Sequence, residues 1–332
     1  MAHILIGGYC GLGNLGDEAV LGVVAGALRQ RGHRLRVLTA DQRHTRELHA
    51  LEGVPRKSLG AVWKALGWAD VLLYPGGSLL QDVTSRASLL YYLGLLPLAR
   101  LRQVAVVLHG QGVGPLSPTG QWLTGLGLRG SAVSVRDQAS QALLRRLGIR
   151  AELAADAALL MQPQSQAETG EVVVALRPPC SPALLDAVVE ASRSWGRTLV
   201  ALVMHPALDT PVAEALVQRT GGRLVAPARP QEALEVIAQA SLVVGMRLHS
   251  LLFAVASTRP AVAIAYDPKV QALATEAGHP VLAPGECTGQ NLLVAGDQAL
   301  RQGAPPGGAV LRQRAAAGLS WLCHIIEHQE DR

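Results

Sequence analysis

The residues best suited to chemistry lie in one short segment, Gly245–Ser250, which reads Gly-Met-Arg-Leu-His-Ser. Its arginine, Arg247, is a rigid two-pronged donor for carboxylate or phosphate, and His249 can change protonation near neutral pH. The segment begins where a short apolar run gives way to a helix-like run, so free backbone N–H groups should point the same way. Lys269, one of only three lysines in the chain, follows the next apolar run. This spacing predicts an anion-binding site with a proton donor beside it.

Further segments place glycines or polar residues directly after a predicted strand. In parallel α/β sheets, ligands bind at the carboxyl ends of the strands, so these residues are candidates for a binding site. Glycines there allow the backbone to approach a ligand closely, and arginines can hold an anion. The candidate residues in these segments are Asp17, Gly76, Gly77, Ser78, Gln111, Arg136 and Arg177.

Each of these segments also has a structural interpretation, which the sequence leaves open. Asp17 is typical of a helix N-cap, and the glycine-rich stretches can be tight turns without a ligand. Arg136 can be a salt-bridge residue, and His205 and Asp209, after another strand, are typical of capping or turn positions. The group around Gly245–Ser250 is harder to explain structurally, because its protonatable residues fall on adjacent strand ends.

The elements that must position these residues alternate between short apolar runs and amphipathic runs, the pattern of parallel α/β units. The predicted strands of the first half are His3–Gly7, Arg34–Leu38, Asp70–Tyr74, Val104–His109 and Ala132–Val135. Those of the second half are Glu171–Leu176, Thr198–Met204, Arg223–Val225, Ser241–Gly245 and Ala261–Ile264. Between the strands, helices are predicted over 18–30, 78–101, 138–147, 182–194, 210–219, 231–239 and 249–257. The helix over 78–101 is predicted to have Ser78 as its cap and an interruption at Pro97.

The chain length of 332 residues suits two domains. A polar stretch with Pro and Gly, 161–170, is the predicted linker. We therefore expect an α/β fold of two doubly wound Rossmann-like domains, residues 1–160 and 171–308, facing a cleft. The last helix, 309–332, is expected to pack back on the first domain.

Composition narrows the class of partner. The net charge is +5 and the arginines are scattered, so nucleic acid is not indicated. The four cysteines are far apart, which predicts neither a metal site nor a disulfide framework and fits a reducing cytoplasm. The N-terminus does not resemble a secretory signal. The apolar stretch Leu89–Ala99 is predicted as a buried helix; the alternative is peripheral contact with lipid at the inner face of the cell membrane.

Taken together, these motifs resemble the polysaccharide pyruvyl transferase family, especially its bacterial CsaB-like members. The resemblance spans most of the chain, with its motifs in the family's order. The segments that carry it are Gly11–Glu18, Gly76–Ser85, Gln111–Leu116, Ser134–Asp137, Gly245–Ser250 and Tyr266–Lys269.

The resemblance implies a fold like that of GT-B glycosyltransferases, with the first domain on the acceptor side and the second on the donor side. It implies transfer of the pyruvyl group of phosphoenolpyruvate to a sugar as a cyclic ketal. In CsaB-like proteins the acceptor is N-acetylmannosamine in a lipid-linked secondary cell-wall polysaccharide precursor. The pyruvylated polymer then anchors surface-layer proteins that carry SLH domains.

The resemblance also implies roles for Arg247, His249, Arg136, Asp17 and Lys269. Phosphoenolpyruvate carries a carboxylate and a phosphate, so its site requires several cations. We expect His249 to be the general acid and Asp17 the base for the acceptor hydroxyl. The arginines and the lysine would hold the donor and stabilise the departing phosphate. This scheme requires no metal and no cofactor besides phosphoenolpyruvate as co-substrate.

Two other functions remain open at the level of sequence. A GT-B glycosyltransferase with a nucleotide-sugar donor also requires Gly-rich loops and cations for a diphosphate. A non-catalytic polysaccharide- or partner-binding module could have the same fold. The oligomeric state, the exact acceptor and the ketal stereochemistry are not predicted.

Overall fold

Parallel pairing joins all neighbouring strands in the part of the chain that the computed structural model describes, residues 1–83, 85–165 and 167–328. The strands form two sheets, and helices connect most of the successive strands. The predicted α/β fold of two Rossmann-like domains is confirmed. The described residues leave out small parts of three predicted segments. These are Thr84 in the Gly76–Ser85 motif, Gln166 in the predicted linker and residues 329–332 of the predicted last helix.

The first sheet reverses its strand order between β1 and β4. Its order is β3-β2-β1-β4-β6-β7-β8, with β5 paired to β6. The strands are β1 His3–Cys10, β2 Arg34–Thr39, β3 Glu52–Pro55, β4 Val71–Tyr74, β5 Gly77–Leu80, β6 Ala105–Val113, β7 Ala132–Val135 and β8 Glu152–Leu153. The helices between them are α1 Leu15–Gln30, α2 Gln42–His49, α3 Leu59–Leu66, α4 Arg86–Leu101, α5 Pro118–Gly127 and α6 Gln138–Arg146.

The second sheet reverses its order between β9 and β12. Its order is β11-β10-β9-β12-β13-β14. The strands are β9 Val172–Ala175, β10 Leu199–Leu202, β11 Arg223–Val225, β12 Leu242–Gly245, β13 Ala261–Ile264 and β14 Val281–Leu282. The helices are α7 Pro182–Trp195, α8 Pro206–Thr220, α9 Pro230–Ala238, α10 Leu248–Ala256, α11 Pro268–Ala277, α12 Gly289–Gln302 and α13 Gly308–Glu327. Short 3-10 turns lie at Ala157–Leu160 and Pro284–Glu286.

Two compact units contain these sheets. Unit 1 comprises residues 1–12, 20–157 and 313–332, and unit 2 comprises 13–19 and 158–312. The first turn of α1 therefore belongs to unit 2, whereas most of the last helix belongs to unit 1. Within unit 1, Gly318 of α13 packs so closely on Ala154 and His109 that a side chain there would meet both.

The centre of each sheet is buried on both faces, which explains why its strands are continuous apolar runs. Val172–Ala175 and Leu242–Gly245 are buried throughout, as is Val71–Tyr74 in the first sheet. In α4, six residues from Leu89 to Ala99 are buried, so the predicted buried helix is confirmed and most of this stretch faces the core. Among the described helices, none is long and apolar enough to cross a membrane.

The segment after β4 corrects one prediction. Ser78 does not cap a helix; it lies in the short strand β5, which pairs with β6. The helix begins later, and Ser85 is its N-cap, accepting a hydrogen bond from the Ser88 N–H at 3.2 Å. Pro97 lies inside α4 without ending it. The sequence Gly-Gly-Ser before an apolar run looks like a cap, but the pairing with β6 prevails.

Candidate functional site

A group of cationic side chains follows the strand ends of the second sheet, around the point where the strand order reverses. Arg177 comes two residues after β9, and Arg247 two residues after β12, its immediate neighbour. Such reversal points are where open α/β sheets bind ligands. His205 follows β10 and Lys269 follows β13, so four adjacent strands contribute.

Arg247 is held by a buried carboxylate. It occupies the N-cap position of α10 without capping it, and its Nε donates to Asp209 Oδ2 at 2.9 Å. Its Nη2 donates to Asp209 Oδ1, which completes a bidentate pair. Asp209 is itself fixed, because Oδ2 also accepts the His205 backbone N–H at 2.9 Å. In the described structure the Arg247 Nη1 has no protein partner, so the fork is oriented and keeps donors for a ligand.

Arg177 is held by an aromatic residue that follows β13, two strands away in the sheet. Its guanidinium lies 4.6 Å from the centroid of the Tyr266 ring, and its Nη1 donates to the Tyr266 hydroxyl at 2.7 Å. Its Nε donates to the Pro178 carbonyl at 2.9 Å. These contacts restrict the side chain and involve no carboxylate, and no ion pair neutralises Arg177 within the described part of the chain.

Lys269 lies in the first turn of α11. Asp267 caps that helix by accepting the Lys269 backbone N–H at 3.0 Å. The Lys269 ammonium lies 3.5 Å from the same carboxylate, and a third of its side chain is exposed. A partly exposed pair of this kind contributes little to stability, so the ammonium can exchange partners with an anionic ligand.

His205 is a buried imidazole beside these arginines. Burial lowers its pKa first, the positive charge of Arg247 lowers it further, and Asp209 opposes the shift. The ring is therefore neutral at neutral pH. Its Nδ1 is buried and has no hydrogen-bond partner within the described residues. The sequence predicts a capping or turn role for His205; the residue occupies the N-cap position of α8, but its side chain makes no capping hydrogen bond.

His249 packs against the first turn of α1, which also belongs to unit 2. A Cβ on Gly16 would overlap with the His249 ring, so only glycine permits this contact. The turn is fixed by the Leu15 N–H, which donates to the Met204 carbonyl at 3.1 Å. Asp17 is the next residue, half-buried in the same turn. It is not the N-cap, since the helix begins at Leu15 and the Gly16 N–H donates to the Asn14 side chain.

In unit 1, Arg136 is enclosed by protein groups. Its Nη1 donates to Asp156 Oδ2 at 3.0 Å, and its Nη2 donates to Ser78 Oγ at 2.7 Å. The Arg136 and Asp156 side chains are only 7% and 3% exposed, so this is a buried ion pair. Gly112 leaves room for the guanidinium, because a Cβ there would lie 2.8 Å from Nη2. Arg136 and Ser78, predicted separately, are therefore in contact.

The other predicted residues of unit 1 shape the backbone. Gly76 and Gly77 have positive φ angles of 150° and 89°, and a Cβ on Gly76 would lie 2.8 Å from a Val20 methyl carbon. Gln111 is fully buried, and its amide donates to the Tyr74 and His109 carbonyls, both at 3.4 Å. Its Oε1 has no partner in the part of the chain described.

Three important partners were missed or underrated from sequence. Asp209 orients Arg247, Asp156 neutralises Arg136, and Tyr266 holds Arg177. Only the position of each residue shortly after a strand could have suggested its role. Across residues 1–83, 85–165 and 167–328, no cluster of three or more His, Cys, Asp or Glu side chains is placed to hold a metal ion.

Comparisons with known proteins identify relatives of sequence and fold. A family model described as polysaccharide pyruvyl transferase matches residues 14–268, well over half of the chain. No curated protein sequence matches it.

Solved structures with the same fold cover nearly the whole chain. A UDP-GlcNAc 2-epimerase from Methanocaldococcus jannaschii, in complex with UDP-GlcNAc and UDP, has a TM-score of 0.65 at 13% identity and covers 98% of this chain and 100% of its own. Alr3699/HepE from Anabaena, in complex with UDP-glucose, has a TM-score of 0.66 at 14% identity, covering 98% and 100%. A glycosyltransferase from Rickettsia africae has a TM-score of 0.62 at 13% identity, covering 99% and 98%. At these identities the likeness shows the fold, and the predicted GT-B-like architecture is confirmed.

Proposed function

The chain belongs to the polysaccharide pyruvyl transferase family, and we propose that it transfers the pyruvyl group of phosphoenolpyruvate to two hydroxyls of a sugar as a cyclic ketal. The observation that supports this donor most directly is the pair of oriented arginines, Arg177 and Arg247, at the strand reversal of the second sheet. With Lys269 on the next strand end, they supply three cations for a ligand that has a carboxylate and a phosphate.

The donor would be held by groups that keep hydrogen-bond capacity. The Arg247 fork is fixed by Asp209 and Arg177 is fixed by Tyr266, yet each guanidinium retains N–H groups directed away from these partners. Pre-oriented donors of this kind stabilise charge at little reorganisation cost. Arg136 of unit 1 keeps a proposed role in holding an anionic group of a substrate, which rests on the resemblance of its Val-Arg-Asp motif.

The proposed reaction uses two protonatable side chains of unit 2. His249 donates a proton to C3 of the enol while one sugar hydroxyl attacks C2 and Asp17 takes the proton of that hydroxyl. The second hydroxyl of the sugar then attacks C2, and the C2–O bond to phosphate breaks. The proton of this second hydroxyl leaves with inorganic phosphate. The proximity of His249 to the α1 turn that carries Asp17 supports this pairing. No metal or further cofactor takes part in the scheme.

The acceptor proposal is more specific and rests on the CsaB-like motifs. We propose N-acetylmannosamine in a lipid-linked secondary cell-wall polysaccharide precursor as the acceptor, with anchoring of SLH-type surface-layer proteins as the consequence. The residues that we propose on the acceptor side belong to unit 1: Gly76, Gly77, Ser78 and Gln111. Their contribution would be backbone approach and hydrogen bonding, which suit a neutral sugar.

The experiment is a turnover assay with purified protein, phosphoenolpyruvate and a synthetic disaccharide that ends in N-acetylmannosamine. We expect phosphate release to match the amount of acceptor that gains a pyruvyl ketal, measured by mass spectrometry. The absence of any adduct across a panel of sugar acceptors would reject the proposal.

A pair of histidine variants tests the proposed acid separately. His249→Ala should abolish most turnover, whereas His324→Ala, on the exposed side of α13, should not change it. Wild-type turnover in His249→Ala would leave the reaction standing and remove His249 as its acid.

A further inference from the structure

Three consecutive helices of unit 1, α3, α4 and α5, contain no acidic residue. Basic side chains surround them, and all are exposed: Lys57, Lys64, Arg86, Arg100, Arg102 and Arg129. Over residues 56–130 the only carboxylates are Asp70 and Asp82. Asp70 accepts the His3 N–H at the amino edge of the sheet, and Asp82 binds Ser117. The outer face of these helices is therefore uniformly cationic.

The same helices expose large apolar side chains, two on each. They are Leu59 and Trp63 on α3, Leu90 and Leu101 on α4, and Trp122 and Leu126 on α5. The pairs are four or eleven residues apart, spacings that place both members on one side of a helix. Exposure reaches 80% at Leu59, 73% at Leu101 and 66% at Trp122, and the other three are about half exposed.

Contacts between the helices show that these residues form one surface. The Arg102 guanidinium, after α4, lies 4.8 Å from the centroid of the Trp63 ring on α3. Arg100 of α4 donates to the carbonyls of Gly127 and Arg129 at the end of α5, at 2.5 and 2.7 Å. The inner sides of the three helices pack into one hydrophobic core with the sheet. Their exposed sides must consequently point away from that core together.

We infer that this outer face of α3, α4 and α5 docks unit 1 on an anionic lipid bilayer. Projecting tryptophans and leucines insert at the level of the headgroups, and surrounding lysines and arginines pair with anionic lipid. Unit 2 does not repeat the pattern, since α7, α8, α9, α11 and α12 each carry at least one acidic residue. Its helix α10 has no acidic residue but is almost entirely buried. The inference rests on the composition of this surface and is independent of the donor chemistry.

The test measures co-sedimentation of the full chain with vesicles, in the absence of phosphoenolpyruvate and acceptor. We expect binding to phosphatidylcholine vesicles that contain phosphatidylglycerol, weaker binding to pure phosphatidylcholine, and loss of binding as salt is raised. Trp63→Ser combined with Trp122→Ser should weaken binding by about tenfold or more. Val294→Ser with Val310→Ser, which alters exposed apolar residues elsewhere, should leave it unchanged.

A charge-reversal pair separates electrostatics from insertion. Lys64→Glu with Arg129→Glu should abolish the preference for anionic vesicles, whereas Arg193→Glu with Arg301→Glu should retain it. Thermal melting of each variant confirms that it is folded, and pyruvyl transfer to a soluble acceptor reports the proposed function separately. The inference is overturned if the wild type does not bind anionic vesicles, or if the tryptophan variant binds equally well. It is also overturned if that variant instead loses a dimer seen by analytical ultracentrifugation, since the face would then join two copies of the chain.

Discussion

The two sheets reverse their strand order in the same way, yet the chemistry at the two reversal points differs. In unit 1 the reversal lies between β1 and β4, and a glycine follows each strand, Gly11 after β1 and Gly76 after β4. In unit 2 it lies between β9 and β12, and arginines follow both strands, Arg177 and Arg247. With the same topology, the reversal point of unit 1 offers backbone groups next to glycines, whereas that of unit 2 carries oriented, positively charged side chains. This is the division expected for a neutral sugar and an anionic donor.

The arginines of the two units differ as well. Arg136 is enclosed, with a buried carboxylate and a serine on its two Nη atoms. Arg247 is tied to one carboxylate and is more exposed, at 13% of its side chain against 7% for Arg136. Both are positioned by a buried aspartate, but Arg247 has more freedom to bind a ligand. Substitutions in the two units test this contrast.

The largest effect is expected for Arg247→Ala. Removing the oriented fork at the reversal point should lower kcat/KM for phosphoenolpyruvate by about a hundredfold to a thousandfold. Arg223→Ala is the matched control, because Arg223 makes an exposed ion pair with Glu171 in the same unit. Steady-state kinetics with both variants decide the point. Equal activity of the two variants would mean that the cationic reversal point has no part in the reaction.

The aspartates behind the two arginines should differ in their effect on donor binding. Asp209→Asn and Asp156→Asn each disrupt a buried ion pair, so each should lower the free energy of unfolding by about 3 kcal/mol. Asp209→Asn should also raise KM for phosphoenolpyruvate about tenfold, because Arg247 loses its orientation. The rise should be smaller in Asp156→Asn, since Ser78 still holds Arg136. Denaturant titration measures the loss of stability, and steady-state kinetics measure KM. Equal rises in KM for Asp209→Asn and Asp156→Asn would show that the two aspartates do not differ in their effect on donor binding.

A smaller effect is expected from a methyl group on α1. Gly16→Ala would press on the His249 ring and should lower kcat by about tenfold, with the folded state retained. Gly26→Ala lies in the same helix with nothing within 4 Å of its added Cβ. It should keep full activity and gain up to about 1 kcal/mol of stability. If Gly16→Ala has wild-type kcat, the contact between α1 and His249 does not position the acid.

The least local effect, and the one with the smallest expected consequence for turnover, concerns pH. Burial lowers the pKa of His109 in unit 1 and of His279 in unit 2 to about 4. The unfolded chain takes up these protons near pH 6.5, whereas the folded chain stays neutral there. The free energy of unfolding should therefore fall as pH drops from about 6.5 to about 4, by about 3 kcal/mol for each histidine. His109→Gln and His279→Gln should each flatten this dependence in denaturant titrations. Unaltered slopes would show that neither ring stays neutral in the folded chain.

Much of this organisation could be predicted from sequence because it depends on local patterns. The apolar runs that form the central strands are buried on both faces, and the arginines and histidines stand directly after them. The short helix α2 escaped prediction because its sequence, Gln-Arg-His-Thr-Arg-Glu-Leu-His, has almost no apolar residue. Ser78 was misread because Gly-Gly-Ser before an apolar run looks the same for a cap and for a strand.

The ion-pair partners could not be predicted in this way. Asp209 and Arg247 are 38 residues apart and meet only because β10 and β12 both neighbour β9. Asp156 and Arg136 are brought together similarly, from the ends of β8 and β7. Long-range pairing of this kind depends on strand order, which a single sequence specifies only weakly.

The central claim is that the cations of unit 2 hold phosphoenolpyruvate, and its most direct measurement is thermal melting with candidate donors. We predict that phosphoenolpyruvate raises the Tm of the wild-type protein and that the shift disappears in Arg247→Ala, while Arg223→Ala retains it. A UDP-sugar should give no comparable shift. If a UDP-sugar raises the Tm and phosphoenolpyruvate does not, the donor assignment is contradicted, and a nucleotide-sugar glycosyltransferase becomes the better description.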